Sequence, residues 1–148
     1  MAGDIEDHAA LAAALESVKG TLENGLKATE RIGRPISAKF VLEHGTLQLS
    51  LWITKEEGFS EFILDPAIGF ITEIFEFTDS YKLQVTTEEK LAMDKATVSL
   101  LSATEKAVKA NDGFRAVSAY PALKEGQPIA VVTLLAANAF KIVTEKLY

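Results

Sequence analysis

Two runs of alternating apolar and polar residues, joined by His44-Gly45, constrain the fold of this chain most strongly. In the second run, aliphatic side chains occupy every other position, at Leu47, Leu49, Leu51 and Ile53. A period of two places such side chains on one face of a β-strand. Glycine tolerates the positive φ that a tight turn requires. The two runs therefore predict a β-hairpin with one face in the core.

The hairpin is predicted to continue into an antiparallel meander that spans residues 36–77. Further β-segments run from Phe59 to Leu64 and from Phe70 to Phe77. Between them stands Asp65-Pro66-Ala67-Ile68-Gly69. Aspartate, proline and glycine each favour a turn, for different physical reasons.

Apolar residues at helical spacing predict two helices. The first is expected to begin at Asp4 or Asp7 and to end at Gly33 as one helix, with Leu11 and Leu22 in its apolar stripe. The second is expected to run from Thr86 to about Ala110. Thr86 and Glu89 have the spacing of a capping box, in which each side chain satisfies a free backbone N–H group.

A second hairpin is predicted after the second helix. Its strands are Phe114 to Tyr120 and Ile129 to Ala136, and the tail from Phe140 to Tyr148 fits either a strand or a short helix. The order helix, strand, turn, strand thus occurs twice, with Gly45 aligned with Gly126. Gly33 aligns with Gly113 in the same way.

We therefore predict one α+β domain, residues 1–148, formed by an internal duplication. Its halves are a first α-β-β-β-β unit, residues 8–78, and a second α-β-β unit, residues 86–148, with helices packed on antiparallel sheet. An unrelated α+β topology would give the same order of elements.

The charge, apolar runs and cysteine content of the chain argue against several classes of function. A net charge of -6 without a basic cluster disfavours nucleic acid and anionic membrane surfaces. No run approaches the roughly 18–20 apolar residues that cross a bilayer, so we expect no membrane insertion. The absence of cysteine excludes disulfides and thiol catalysis.

Ionisable residues do not form a recognisable catalytic or metal site. His8 and His44 lack a carboxylate at ligand spacing, and the acidic residues around Asp65 lack the spacing of a calcium loop. No serine stands in a glycine-flanked elbow. Glu61 and Glu73, on neighbouring predicted strands, are the one acid–base pair worth considering. We expect no metal, no cofactor and no enzymatic activity.

The segment from Phe62 to Ile71 resembles the PepSY domain, whose characteristic Asp-x-x-x-Gly turn matches Asp65 and Gly69. The resemblance covers Ala9 to Phe77 best and the second half more loosely. It implies a small, non-enzymatic bacterial module, periplasmic or secreted, of the kind found in propeptides of thermolysin-like metalloproteases. No signal peptide begins this chain, so a cytoplasmic location as expressed is the other expectation.

The chain departs from the family pattern around the turn glycine. Family members place a small polar residue before it and a lysine after it, where this chain has Ile68 and Phe70. These two belong to a larger set of apolar residues that stand where a one-sided sheet or a solvated turn shows polar groups. The set is Val41, Trp52, Phe62, Ile68, Phe70 and Ile74.

Three interpretations of this set remain open. In the first, the second helix or the second hairpin covers these residues. In the second, they form an exposed apolar face or edge that binds a protein partner or a second copy of the chain. The third is a pocket for a small hydrophobic ligand, or a surface engineered for self-assembly. We favour a non-enzymatic binding module.

Overall fold

A computed structural model describes residues 8–56 and 58–148. These residues form four helices and seven strands. In chain order the elements are α1 (His8–Leu15), α2 (Leu22–Thr29), β1 (Arg34–Glu43), β2 (Thr46–Lys55), β3 (Gly58–Leu64), β4 (Ile71–Glu76), α3 (Ser80–Lys95), α4 (Leu100–Lys109), β5 (Arg115–Lys124), β6 (Gln127–Ala136) and β7 (Ala139–Lys146).

The strands form one antiparallel sheet in the order β4-β3-β2-β1-β5-β6-β7. The predicted meander is β1 to β4, and the second hairpin is β5 and β6. The two groups of strands join at the centre, where Ala38 lies opposite Ala119. The α+β class, with helices packed on antiparallel sheet, is confirmed.

Helices cover both faces of the sheet. Helix α2 packs on the face that carries Leu49 and Leu51, and a Cβ atom on Gly25 would lie 2.4 Å from Leu49 Cδ2. We refer to this side as the α2 face; α4 contacts α2 and lies there too. Helix α3 lies on the opposite side, the α3 face, where Lys82 Nζ is 3.7 Å from Glu61 Oε1.

The prediction of a single first helix is wrong within the described residues, because the chain breaks between α1 and α2. Thr21 caps α2 by accepting a hydrogen bond from Asn24 N–H at 3.1 Å. Gly20 lies in the break, where a Cβ atom would come within 2.2 Å of the Pro66 carbonyl oxygen. The predicted starts at Asp4 and Asp7 lie outside the described residues.

The second predicted helix is also two helices, α3 and α4. The predicted capping box is wrong, because Thr86 and Glu89 lie inside α3 and the Thr86 hydroxyl donates to the Lys82 carbonyl at 2.7 Å. Asp79 caps α3 and Ser99 caps α4 instead. Helix α3 thus begins before residue 86, the predicted start of the second half.

The ambiguous tail is strand β7, which pairs with β6. Positive φ angles recur 81 residues apart, at His44 (50°) and Glu125 (53°) and again at Glu56 (58°) and Ala137 (53°). Strands β1 and β5 each carry a register shift near their start. These features are consistent with two related halves, and the duplication stays a prediction.

Candidate functional site: the β4 edge and the acidic concavity

The outer strand β4 and the turn residues before it form an open edge of the sheet. We name residues 68–76 the β4 edge. Strand β4 pairs with β3 on one side, and within the described chain no strand pairs with its other side. Every residue of β4 is exposed. An unpaired strand edge presents backbone N–H and C=O groups that can template another strand.

The ladder between β3 and β4 shows which backbone groups point outward. Phe77 N–H donates to the Phe59 carbonyl at 3.2 Å. In an antiparallel pair, alternate residues direct both backbone groups to the same neighbour. Glu73 and Phe75 therefore direct their backbone N–H and C=O groups toward β3, whereas Ile74 and Glu76 direct theirs away from the sheet.

The β4 edge is also the most apolar exposed segment of the described chain. Ten large apolar side chains are exposed among all the described residues, and five of these ten lie within the β4 edge. Single exposed apolar residues are common, but a contiguous group marks a binding surface. The five are Ile68, Phe70, Ile71, Ile74 and Phe75, of which Phe70 is the most exposed at 71%.

The six residues of the sequence-predicted site do not come together. Trp52 and Phe62 are buried, with 7% and 6% exposed, and they lie on opposite faces of the sheet. The Trp52 ring packs edge-on against Phe77, with centroids 5.0 Å apart, so the chain itself covers it. Val41 is half-buried on the α3 face. Trp52 and Phe62 are therefore not part of an exposed surface, although Trp52 and Val41 line a hollow of about 180 Å³, and their role in binding stays a prediction.

The other three predicted residues, Ile68, Phe70 and Ile74, do lie in one exposed segment. Ile71 and Phe75 belong to the same exposed segment and were missed as site residues. The sequence signal for them is that residues 70–77 have apolar side chains at both odd and even positions, and therefore on both faces of the strand. A strand with one solvated face does not show this pattern.

The turn that leads into β4 is closed by Asp65. Its carboxylate accepts a hydrogen bond from Ala67 N–H at 2.8 Å, and Gly69 N–H donates to its carbonyl at 2.7 Å. Gly69 has a φ of +76°, which favours glycine. Asp65 and Gly69 thus fix the turn, while Ile68 and Phe70 beside the glycine are left exposed.

A concavity of about 710 Å³ lies on the α3 face between the β1–β2 turn and β4. We name it the acidic concavity, because its lining has Lys82 as the one lysine. Its acidic lining residues are Glu43, Glu61, Glu73, Glu76 and Asp79, of which Glu76 lies opposite Ser60 with its side chain toward the α2 face.

Two of these carboxylates have partners and three do not. Glu61 accepts a hydrogen bond from Ser50 Oγ at 2.5 Å and lies 3.7 Å from Lys82 Nζ, while Asp79 caps α3. The carboxylates of Glu43, Glu73 and Glu76 make no ion pair with another residue of the described ranges. The concavity therefore holds negative charge without a matching cation.

Glu61 and Glu73 do not form a facing acid–base pair. Glu61 lies opposite Phe75 and Glu73 lies opposite Ile63, so the two carboxylates are diagonal neighbours. His44 lines the same concavity, whereas His8 stacks on Phe140 with ring centroids 4.2 Å apart. Within residues 8–56 and 58–148, metal-ligating side chains do not gather in groups of three.

A buried carboxyl group lies on the α3 face near the centre of the sheet. Burial raises the pKa of Glu89 to about 7, and the Ser37 hydroxyl beside it offsets part of that rise. Glu89 also borders a hollow of about 360 Å³ that Val85 and Tyr120 help to line. This group is a neutral acid over much of the pH range in which other glutamates are charged.

No family model matches the chain, and neither a curated protein nor a solved structure matches it. The PepSY resemblance therefore stays a prediction. Of the helices in the described part of the chain, none has the length and apolar character that crossing a membrane requires.

Proposed function

We propose that this chain is a non-enzymatic protein-binding module that takes an extended segment of its partner onto the β4 edge as an additional strand. One observation carries the proposal: Ile74 and Glu76 direct unpaired backbone groups outward from an edge that also exposes five large apolar side chains. In strand addition, main-chain hydrogen bonds supply affinity and alternate side chains supply specificity.

The other open edge, β7, is a poorer acceptor. Lysine side chains on an edge strand discourage pairing with another chain, and β7 carries Lys141 and Lys146. Its one exposed large apolar residue is Ile142. Strand β4 has no lysine. This contrast favours the β4 edge as the site at which a partner strand adds.

The PepSY resemblance of Asp65 to Gly69 supports the same proposal, because such modules are expected to act on protein partners. A periplasmic or secreted location belongs to this proposal as well. Among the described residues, the first half has four strands and the second has three, so β4 has no counterpart there.

A second candidate function is the binding of a small hydrophobic ligand. A hollow of about 330 Å³ lies beside the Asp65–Gly69 turn, and Leu49, Leu64 and Ile68 contribute apolar lining. Its volume is at the lower end of the roughly 300–1,000 Å³ that ligand pockets occupy. Self-association through the same apolar edge is the natural competitor of partner binding.

Selection of extended peptides from a random displayed library tests the proposal. The baits are the wild type, Ile74→Pro and Ile142→Pro. Proline removes one N–H group, and in both variants that group points outward from an edge strand, so the internal ladders are kept. Ile142 is the matched control because Leu147 N–H donates to Pro128 O, which places Ile142 at an outward position of β7.

The expected result is a set of peptides that bind the wild type and Ile142→Pro but not Ile74→Pro. Circular dichroism must show that both variants keep the wild-type spectrum. Peptides that bind all three baits equally, or a selection that yields no binder, would contradict strand addition at β4.

A further inference from the structure

We infer that the segment bound at the β4 edge is basic, with aliphatic residues alternating with lysine or arginine. This inference rests on the proposed function and adds the chemistry of the partner. It depends on how β4 divides its side chains between the two faces of the sheet and on the unbalanced charge of the acidic concavity.

The two faces of β4 differ in chemistry. Ile74 lies opposite Phe62, and Ile71 lies opposite Leu64, so both isoleucines are on the α2 face. Glu73 lies on the α3 face together with Phe75, and both line the acidic concavity. The α2 side of the strand therefore carries both isoleucines, with Glu76 at its end opposite Ser60, and the α3 side carries Glu73 and Phe75 at the rim of the acidic concavity.

A strand added to β4 must follow the same alternation. Residues directly opposite each other in an antiparallel pair have side chains on the same face, close enough to interact. Side chains on the α2 face of the added strand lie beside Ile71 and Ile74, where aliphatic groups extend the apolar surface. Those on the α3 face lie at the rim of the acidic concavity beside Glu73.

Charge complementarity selects lysine or arginine for that second set. Glu43 and Glu73, whose side chains are on the α3 face, have no cationic partner among the described residues, and the one lysine of the concavity lies beside Glu61. Long basic side chains can pack their methylene groups on Phe75 and reach these carboxylates. A cleft lined by one sign of charge also attracts a segment of the opposite sign from solution.

A second copy of this chain is a weaker occupant. Pairing of two β4 strands would bring another Glu73 and another Glu76 toward carboxylates that already lack cations. Pairing of β4 with the β7 edge of a second copy would bring Lys141 of that copy near the acidic concavity. Lys141 already donates a hydrogen bond to Asn111 Oδ1 at 2.5 Å, which it would have to give up. A separate basic segment meets the charge requirement without breaking this contact.

Titration with three blocked octapeptides tests the inference. In each, valine alternates with a second residue, which is lysine, serine or glutamate. The lysine peptide is expected to bind the wild type at least about tenfold more tightly than the serine peptide, and the glutamate peptide is expected not to bind. Added salt is expected to lower the affinity of the lysine peptide and to leave the affinity of the serine peptide unchanged.

Protein variants locate the effect. Glu73→Lys is expected to lower the affinity of the lysine peptide about tenfold. The substitution removes the attraction between Glu73 and the peptide lysines and replaces it with repulsion between like charges. Glu125→Lys, in the exposed β5–β6 turn, is the matched control and is expected to leave binding unchanged. Ile74→Pro is expected to abolish binding of every peptide.

Other outcomes separate this inference from the proposed function. If the serine peptide binds as tightly as the lysine peptide and Ile74→Pro abolishes both, the basic partner is overturned and strand addition stands. If the lysine peptide binds Ile74→Pro as well as the wild type, or binds no form, both are overturned. A free chain that light scattering shows to be a dimer, dissociated by Ile74→Pro, makes a second copy the occupant and also overturns the inference.

Discussion

Phe62 and Ile74 lie directly opposite each other across β3 and β4, yet 6% of Phe62 and 58% of Ile74 is exposed. Both side chains are on the α2 face. The cover that buries the face therefore ends at β3, one strand short of the sheet edge. A strand added outside β4 would extend the sheet over the uncovered isoleucine.

Paired substitutions at these two positions measure where the core ends. Phe62→Ala is expected to lower the free energy of unfolding by about 3–5 kcal/mol, since it leaves a cavity in the buried cluster. Ile74→Ala is expected to cost less than about 1 kcal/mol because its side chain is already in water. Urea denaturation measures both, and equal losses would contradict the placement of β4 outside the core.

Arg115 holds the first helical segment to the second half of the chain. Its guanidinium donates to the carbonyls of Leu15 and Val18 at 3.0 Å and to that of Gly20 at 2.8 Å. Arg115→Met is expected to lower the free energy of unfolding by about 2–3 kcal/mol, because carbonyls at the end of α1 lose a charged donor.

Arg34 provides the control for Arg115. It pairs with Asp94 at 2.6 Å, but both side chains are about 40% exposed. An exposed pair of this kind contributes about 0–1 kcal/mol, so Arg34→Met is expected to have a small effect. Thermal unfolding of the two variants side by side tests the difference, and a larger loss for Arg34→Met would contradict it.

The buried acid Glu89 makes stability depend on pH. Its pKa is about 7 in the folded chain against an ordinary value of 4.5. A raised carboxyl pKa means that the folded state holds the proton more tightly, so this stabilisation is complete below pH 4.5 and is lost as pH rises through about 7. Between these limits the loss is on the order of 3 kcal/mol.

Glu89→Gln removes this titration. The free energy of unfolding of the variant, relative to the wild type, is therefore expected to increase from pH 4.5 to pH 7 and to level off above it. Denaturant unfolding at several pH values measures the difference. A difference that stays constant across this range would show that Glu89 is not responsible.

Gly20 is required by its contact with the turn before β4. A Cβ atom there would lie 2.2 Å from the Pro66 carbonyl oxygen, which is backbone. Gly20→Ala is therefore expected to lower the free energy of unfolding by about 1–3 kcal/mol. Gly58→Ala is the control, since its nearest atom is 3.9 Å away, and its effect is expected to stay within about 0.5 kcal/mol.

Alternation and turn chemistry were sufficient to predict strands β1 to β6, whereas the tail that forms β7 was left open between a strand and a short helix. The alternation of residues 47 to 53 predicted strand β2, and His44-Gly45 takes the positive φ angles of the turn. The prediction of a single core face was wrong, because Ser50 and Trp52 on the other face of β2 are buried as well. The helix breaks were not predictable in this way. They depend on distant contacts, such as the approach of Gly20 to Pro66 and the hydrogen bonds from Thr97 and Val98 N–H to Leu147 O.

The candidate site was predictable only in part, for a related reason. Ile68 and Phe70 flank the turn glycine, and no packing partner is implied by the pattern around them. The exposure of Trp52 depends on whether another element returns to cover it, and Phe77 does so. The charge of the concavity arises from residues far apart in sequence, such as Glu43 and Glu73, which only the sheet order brings to one surface.

Amide hydrogen exchange, followed by NMR with and without the lysine peptide, tests strand addition at β4 most directly. The Ile74 and Glu76 amides are expected to exchange rapidly in the free chain and to become protected on binding, while Ile142 and Thr144 on β7 stay unchanged. Binding that leaves the Ile74 and Glu76 amides unprotected would contradict strand addition at β4.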